Sequence, residues 1–137
     1  MPGRAESPSP RGMGVVIPAY QAVATIHDIV ARARRAAPDA IVYVVDDGST
    51  DGTGAAAQRE GAVVLVHRHN YGKGAALRTG IARALSDGAR IIVTIDADGQ
   101  HAPEDIARLV APIQSGEADL VLGARAMSSG EIGRAHV

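Results

Sequence analysis

The chain has 137 residues, of which 46% are hydrophobic and 2% aromatic, and its formal net charge is −1. This length suffices for one domain with a modest core, and the scarcity of aromatic residues leaves Ala, Val, Ile and Leu to build it, which is typical of a parallel sheet covered by helices. The near-zero charge gives no electrostatic case for nucleic acid, the absence of cysteine excludes disulfides and thiolate metal sites, and no apolar run approaches the roughly 20 residues that span a bilayer.

The amino-terminal segment, residues 1–13, is rich in Pro, Gly, Ser and Arg and is predicted to be a disordered tail. It lacks the apolar core of a signal peptide. We therefore expect a soluble, cytoplasmic chain whose folded part begins at Gly14.

From Gly14 onward, short apolar runs alternate with helical stripes of apolar residues. The runs predict five strands, at Val15–Ile17, Ile41–Val45, Ala62–Val66, Arg90–Ile95 and Ala118–Leu122. Helices are predicted by the stripes Ile26–Ala33, Leu77–Leu85 and Ile106–Ile113, and by the Ala-rich run Thr53–Arg59. Strands separated by helices form right-handed βαβ units. The predicted fold class is therefore α/β, Rossmann-like, with a mostly parallel sheet and helices on both faces.

Polar loops follow four of the predicted strands. They are Pro18–Tyr20, Asp46–Gly48, His69–Gly74 and Asp96–His101. Because the carboxyl ends of parallel strands meet at one edge of the sheet, where α/β proteins bind ligands, we expect these loops to surround one site.

The loop after the fourth strand places two carboxylates and an amide on one turn, at Asp96, Asp98 and Gln100. Oxygen ligands of this kind suit Mg²⁺ or Mn²⁺, and such ions usually bind substrate phosphates as well. A metal there could neutralise a diphosphate as it leaves. The alternative is a helix cap, but Pro103 already suits the start of the next helix, so we favour a metal–diphosphate site.

The turn Asp46–Thr53 is rich in turn-forming residues, some of which are expected to cap a helix. We hypothesise that Asp47 within it hydrogen-bonds the edge of a nucleotide base. Asn70–Gly74 fits either a cradle of backbone amides for phosphate or ribose at a helix start or a bare structural turn.

Other polar residues give weaker signals. Arg125, past the fifth strand, fits a phosphate contact and a solvated loop cation equally well. His27, His67 and His69 have no metal-ligating partner at useful spacing, so each is predicted to lie at the surface.

Taken together, five segments resemble the family 2 glycosyltransferases of the GT-A fold. The segments are Val16–Tyr20, Val45–Thr53, Gly72–Gly80, Asp96–His101 and Leu122–Arg125. They are most similar to those of polyprenyl-phosphate sugar transferases of the dolichol-phosphate mannose synthase type. The resemblance covers residues 14–127, which would form the nucleotide-sugar-binding part of the domain. Gln21–Ala22 depart from the Asn-Glu pair that family members usually carry.

The resemblance implies an inverting transfer of a sugar from a GDP- or UDP-sugar to a polyprenyl phosphate, with Mg²⁺ or Mn²⁺. It implies donor-binding roles for Pro18, Ala19, Tyr20, Asp47, Lys73, Asp96 and Ala97. The metal ligands would be Asp96, Asp98 and Gln100. Asp98 and Arg125 would serve catalysis, Arg125 by approaching the acceptor phosphate. Because that phosphate is already anionic, metal activation and positioning would supply most of the catalysis.

Two other functions remain open. One is a family 2 glycosyltransferase that acts on a hydroxyl acceptor, which requires a general base that the present sequence does not reveal. The other is a non-catalytic nucleotide-binding fragment.

The carboxyl-terminal segment, residues 128–137, is predicted to be an unstructured tail. Ile132–Val137 matches the translation of a widely used sequencing adapter, so we expect these six residues to be adapter-derived. Because the acceptor half would then be missing, we expect the fragment to be inactive alone. The resemblance implies a further acceptor half, and through it an association with the inner face of the membrane.

Overall fold

Strands and helices alternate along the part of the chain that the computed structural model describes, which is residues 12–98, 102–106, 121–122 and 133–134. The strands are β1 (Met13–Ala19), β2 (Ile41–Asp46), β3 (Val63–Val66), β4 (Ile91–Thr94), β5 (Val121–Leu122) and β6 (Gly133–Arg134). The helices are α1 (Val23–Ala36), α2 (Thr53–Arg59) and α3 (Lys73–Ser86), and a 3₁₀ turn spans Pro103–Asp105. Within this part of the chain, no helix is both long and apolar enough to cross a membrane.

The strands form one sheet in the order β3-β2-β1-β4-β5-β6. Strands β1 to β5 are parallel, and only β6 runs antiparallel to its neighbour. The mostly parallel sheet predicted from the sequence is thereby confirmed. The order places β1 at the centre, so the loops after β1, β2 and β4 lie side by side at one edge.

Helices cover both faces of the sheet, as predicted. One core cluster joins α1 and α2 to the face that carries Val15, Ile17 and Val44. On the opposite face, Val16, Tyr43 and Ile92 cluster with apolar side chains of α3. Because β1 is buried along its whole length, it presents alternate side chains to both cores, which is typical of a central parallel strand.

Pro18 does not end β1, although the sequence predicted that the first strand would stop there. The pairing of β1 with β4 ends at Val16, opposite Thr94, whereas its pairing with β2 continues to Ala19, opposite Asp46. The carbonyl of Ala19 accepts from a β2-side amide, that of Asp47. The backbone N–H and C=O groups of successive strand residues point toward opposite neighbouring strands. Because those of Ala19 point toward β2, the position of the missing N–H of Pro18 faces β4, where pairing has already ended. The strand can therefore extend to the rim of the site.

The structure differs from the sequence-based boundaries at both ends. Met13 belongs to β1 and is buried, although residues 1–13 were assigned to a tail. Gly133–Arg134 pairs with β5, although 128–137 was expected to be unstructured. That short antiparallel pairing satisfies backbone groups on the outer edge of β5.

Candidate active site

A cavity of about 530 Å³ opens at the carboxyl ends of β1, β2 and β4. Its lining includes every predicted site residue that lies among the described residues: Pro18, Ala19, Tyr20, Asp47, Lys73, Asp96, Ala97 and Asp98. Gln100 and Arg125 lie outside the described residues. The volume falls within the range of small-molecule sites.

The segment from β1 to α1 is held in an unusual conformation on one side of the cavity. Gln21 has a φ of 51°, in the left-handed region that few residues other than glycine adopt. Its backbone N–H donates to Ser49 Oγ at 2.8 Å, and its side-chain Oε1 accepts from the N–H of Thr50 at 2.7 Å. These two bonds stabilise the turn that carries Tyr20 into the cavity wall.

The turn after β2 caps helix α1, which has no side-chain cap of its own. The N–H of Ala22 donates to Thr53 Oγ1 at 2.9 Å, and that of Val23 donates to Asp51 Oδ2 at 3.1 Å. Orphan amides at a helix start usually find such oxygens nearby in sequence. Here the cap comes from about thirty residues away, as the separations of 31 and 28 positions show. The Asp46–Thr53 turn thus fixes the cavity wall.

Asp47 is buried at the rear of the cavity, and its carboxylate is held by three donors. Oδ1 accepts from His67 Nδ1 at 2.7 Å and from the N–H of Tyr71 at 3.0 Å, while Oδ2 accepts from the N–H of Gly72 at 2.8 Å. Burial alone would raise the pKa of Asp47, but the hydrogen bonds from His67 and the two amides outweigh it, so the pKa lies below its usual value. Asp47 is therefore a fixed anionic acceptor in the cavity wall.

His67 is not a surface histidine, in contrast to the sequence-based prediction. Its side chain is 13% exposed, and its second nitrogen, Nε2, lies 2.8 Å from Thr79 Oγ1 of α3. The strand register contains a signal for this arrangement. Asp46 lies opposite Val66, so the residues that follow them, Asp47 and His67, emerge side by side.

The carboxylates after β4 meet a cation from α3. Lys73 Nζ lies 2.6 Å from Asp96 Oδ1, and the Lys73 side chain is exposed. Asp98 is exposed at the mouth of the same cavity. Between the two acids, the carbonyl of Ala97 accepts from Thr25 Oγ1 at 2.7 Å, which ties this turn to α1.

The residues present fit a divalent cation in part. Two carboxylates two residues apart supply the hard oxygen ligands that Mg²⁺ and Mn²⁺ prefer, and the ammonium group on Asp96 shows that this oxygen attracts a cation. Within the described ranges, no cluster of three acidic, histidine or cysteine residues forms a complete site. A complete coordination shell would also need oxygen ligands from Gln100, from a bound diphosphate or from water.

Two exposed tyrosines flank Asp47. Tyr20 is 52% exposed in the cavity lining, and Tyr71, whose N–H donates to Asp47, is 57% exposed. The Tyr71 ring makes an edge contact with His67, with ring centroids 5.3 Å apart. Flat apolar faces next to a fixed acceptor suit a planar heterocycle.

The parallel sheet, with its cavity at the carboxyl ends of the strands, has the architecture of the GT-A glycosyltransferases, and a comparison with known families agrees. The model of Glycosyl transferase family 2 matches residues 14–137. The chain belongs to this family.

Several similar proteins have names that state a lipid phosphate as acceptor or product. Polyprenol monophosphomannose synthase of Mycolicibacterium smegmatis is 40% identical over 124 residues, which cover 86% of this chain and 46% of that protein. UDP-N-acetylglucosamine–dolichyl-phosphate N-acetylglucosaminyltransferase of Methanococcus voltae is 34% identical over 128 residues, which cover 81% of this chain and 51% of that protein. The chain spans about half the length of these curated relatives.

A solved structure shares the fold. Glucosyl-3-phosphoglycerate synthase from Mycobacterium tuberculosis, in complex with Mn²⁺, UDP and glucosyl-3-phosphoglycerate, superposes with a TM-score of 0.65 at 32% identity. The match covers 78% of this chain and 41% of that one. The GT-A fold predicted from the sequence is thereby confirmed.

Proposed function

We propose that this chain is the donor-binding part of an inverting, metal-dependent glycosyltransferase that takes a GDP- or UDP-sugar and whose acceptor is a polyprenyl phosphate. One observation carries the proposal: a single cavity brings the buried acceptor Asp47 together with the carboxylates Asp96 and Asp98. A base-recognising end and a cation-binding end are what a nucleoside diphosphate requires. Relatives named for polyprenol and dolichyl phosphate support the acceptor class.

In this mechanism each residue has a separate task. Asp47 accepts from an N–H of the base, and Tyr20 packs against the nucleoside. Asp96 and Asp98 would hold the divalent ion, which supplies Lewis-acid stabilisation of the departing diphosphate when bound. Lys73, already within reach of Asp96, contributes positive charge beside the phosphates. Because a polyprenyl phosphate is already anionic, no residue has to remove a proton from the acceptor. These residues position the donor and neutralise the charge of its diphosphate.

Isothermal titration tests the proposal directly, with UDP and GDP each added in the presence and absence of Mn²⁺. We expect at least one of the two nucleotides to bind, and its affinity to rise when Mn²⁺ is present. Adenosine diphosphate is the matched control, since its pairing edge presents a ring nitrogen acceptor toward Asp47. Failure of both UDP and GDP to bind, with or without metal, would contradict the proposal.

A hydroxyl acceptor is the second candidate, and the structural similarity to glucosyl-3-phosphoglycerate synthase favours it. A sugar-transfer assay that offers a short polyprenyl phosphate and phosphoglycerate in parallel separates the two acceptor classes. The polyprenyl-phosphate proposal expects product only with the lipid.

Replacing Lys73 with methionine is expected to change metal and nucleotide affinities in opposite directions. The ammonium competes with a metal ion for Asp96, so its loss raises the affinity for Mn²⁺ alone by about two- to fivefold, the size of an exposed ion pair. The same loss removes positive charge from the diphosphate and weakens nucleotide binding. Titration calorimetry measures both quantities.

Arg78→Met is the matched control for Lys73→Met, because it removes an exposed cation from the same helix outside the cavity lining. It should leave both affinities close to those of the unmodified chain. If Lys73→Met weakens Mn²⁺ binding, Lys73 does not compete for Asp96.

A further inference from the structure

The imidazole of His67 forms a partly buried bridge between the candidate nucleotide site and helix α3. Nδ1 contacts Asp47 Oδ1 at 2.7 Å, and Nε2 contacts Thr79 Oγ1 at 2.8 Å. The side chains of His67 and Asp47 are only 13% and 4% exposed. Asp47 lines the cavity, whereas His67 is not among the lining residues, so His67 acts on a ligand in the cavity through Asp47.

The hydrogen-bond capacity of Asp47 is almost completely used in this arrangement. An ionised carboxylate only accepts, with about two acceptor directions on each oxygen. His67 and the N–H of Tyr71 occupy both directions of Oδ1, and the N–H of Gly72 occupies one of Oδ2. One acceptor direction therefore remains on Oδ2.

The contact also determines which nitrogen of the ring carries a proton. Because Asp47 cannot donate, Nδ1 of His67 must be the donor. In the neutral ring, Nε2 then accepts from the hydroxyl of Thr79. With Thr79 on one side and Asp47 on the other, the imidazole cannot turn without breaking one of these partly buried hydrogen bonds.

We propose that His67 is a positioning residue for base recognition. Its hydrogen bond to Oδ1 fixes the rotation of the Asp47 carboxylate, so that one acceptor position on Oδ2 meets a ring N–H of the base. This inference rests on the proposed function. Uracil and guanine carry such a ring N–H on the pairing edge. Cytosine and adenine present a ring nitrogen acceptor at that position, which a carboxylate repels, and their N–H donors belong to the neighbouring exocyclic amino group, which a carboxylate fixed toward the ring position meets less well. Without the hydrogen bond from His67 the carboxylate can rotate, so the preference for bases with a ring N–H becomes weaker.

Two variants divide the functions of the imidazole. In His67→Asn, the amide nitrogen takes the place of Nδ1 and can still donate to Asp47, but the contact with Thr79 is lost. In His67→Gln, the longer side chain reaches toward Thr79, and the donor to Asp47 is lost. Comparing the two variants therefore separates the effect of the hydrogen bond to Asp47 from the contribution of the partly buried imidazole ring to stability.

The measured quantity is the ratio of the dissociation constants for CDP and UDP, and likewise for ADP and GDP, obtained by calorimetry with Mn²⁺ present. We expect His67→Gln to lower the discriminating ratio by roughly tenfold or more, the size of a hydrogen bond to a buried charge. His67→Asn should keep it within about threefold, since a donor remains. A common loss of thermal stability in both variants would not produce this difference.

A measurement on the unmodified chain tests the same inference without any substitution. In a ¹⁵N spectrum of the histidine side chains, the chemical shift of His67 Nδ1–H should change when UDP or GDP, whose bases carry the ring N–H, is added. It should not change when CDP or ADP is added. Equal ratios in His67→Gln and His67→Asn, or a signal unmoved by bound UDP or GDP, would overturn the role of His67. Absence of any nucleotide binding to the unmodified chain would instead refute the proposed function.

Discussion

Replacing Asp98 with asparagine is expected to remove most of the metal dependence of nucleotide binding. The substitution keeps the shape of the side chain and removes one of the two carboxylates that face the cavity mouth. Changing even a group in the second shell of a metal site typically lowers metal affinity roughly 10- to 100-fold, so loss of the carboxylate that we propose as a direct ligand should weaken Mn²⁺ binding at least as much. Mn²⁺ titration and the nucleotide affinity with and without Mn²⁺ measure the effect.

The fold should survive this substitution. Asp98 is exposed, and the turn that carries it is anchored by the bond from Thr25 Oγ1 to the carbonyl of Ala97. Affinity for the nucleotide without metal should therefore remain close to that of the unmodified chain, and the melting temperature should change little.

Asp39→Asn is the matched control for Asp98→Asn. It removes one exposed carboxylate near the amino end of β2, at the opposite edge of the sheet from the cavity. Metal-dependent binding should be unchanged in this variant. If both variants lose metal dependence equally, the effect is one of net charge, and Asp98 is not a ligand.

Much of the fold could be predicted because its signals are local. The run Ile41–Val45 is apolar throughout, and the stripe Ile26–Ala33 has helical spacing, so each element could be recognised alone. The predicted bounds of α2, Thr53–Arg59, agree with the structure. The cavity followed from a general rule of parallel sheets rather than from any one residue.

The features that sequence reasoning missed depend on contacts between distant elements. The turn Asp46–Thr53 was expected to cap a helix, but the sequence did not indicate which one: the Thr53 hydroxyl accepts from the N–H of Ala22 at the start of α1, 31 positions away. His67 was placed at the surface because the sequence shows no metal-ligating partner for it at useful spacing. Its environment is determined by Asp47 on the neighbouring strand and by Thr79 on α3, and strand order is needed to bring these residues together.

Gly80 marks the point where α3 lies closest to the sheet, and Gly80→Ala is expected to have the largest effect on stability. A methyl group there would lie 2.4 Å from Val16 Cγ1 and 3.0 Å from Val45 Cγ2. Alanine favours the helix by about 1 kcal/mol, but overpacking a dense core typically costs about 1–3 kcal/mol and sometimes more. Since α3 begins at Lys73 and carries Thr79, its displacement should also weaken nucleotide binding.

Thermal melting followed by circular dichroism tests this prediction, with Gly74→Ala as the matched control on the same helix. The added methyl of Gly74→Ala would meet only an Arg78 guanidinium nitrogen, at 3.7 Å, so the melting temperature should be equal or higher. Gly80→Ala should melt at a clearly lower temperature. In a Val16→Ala background the clash is relieved, so the free-energy cost of Gly80→Ala should fall there. Equal costs in the two backgrounds would mean that contact with Val16 is not what requires glycine at this position.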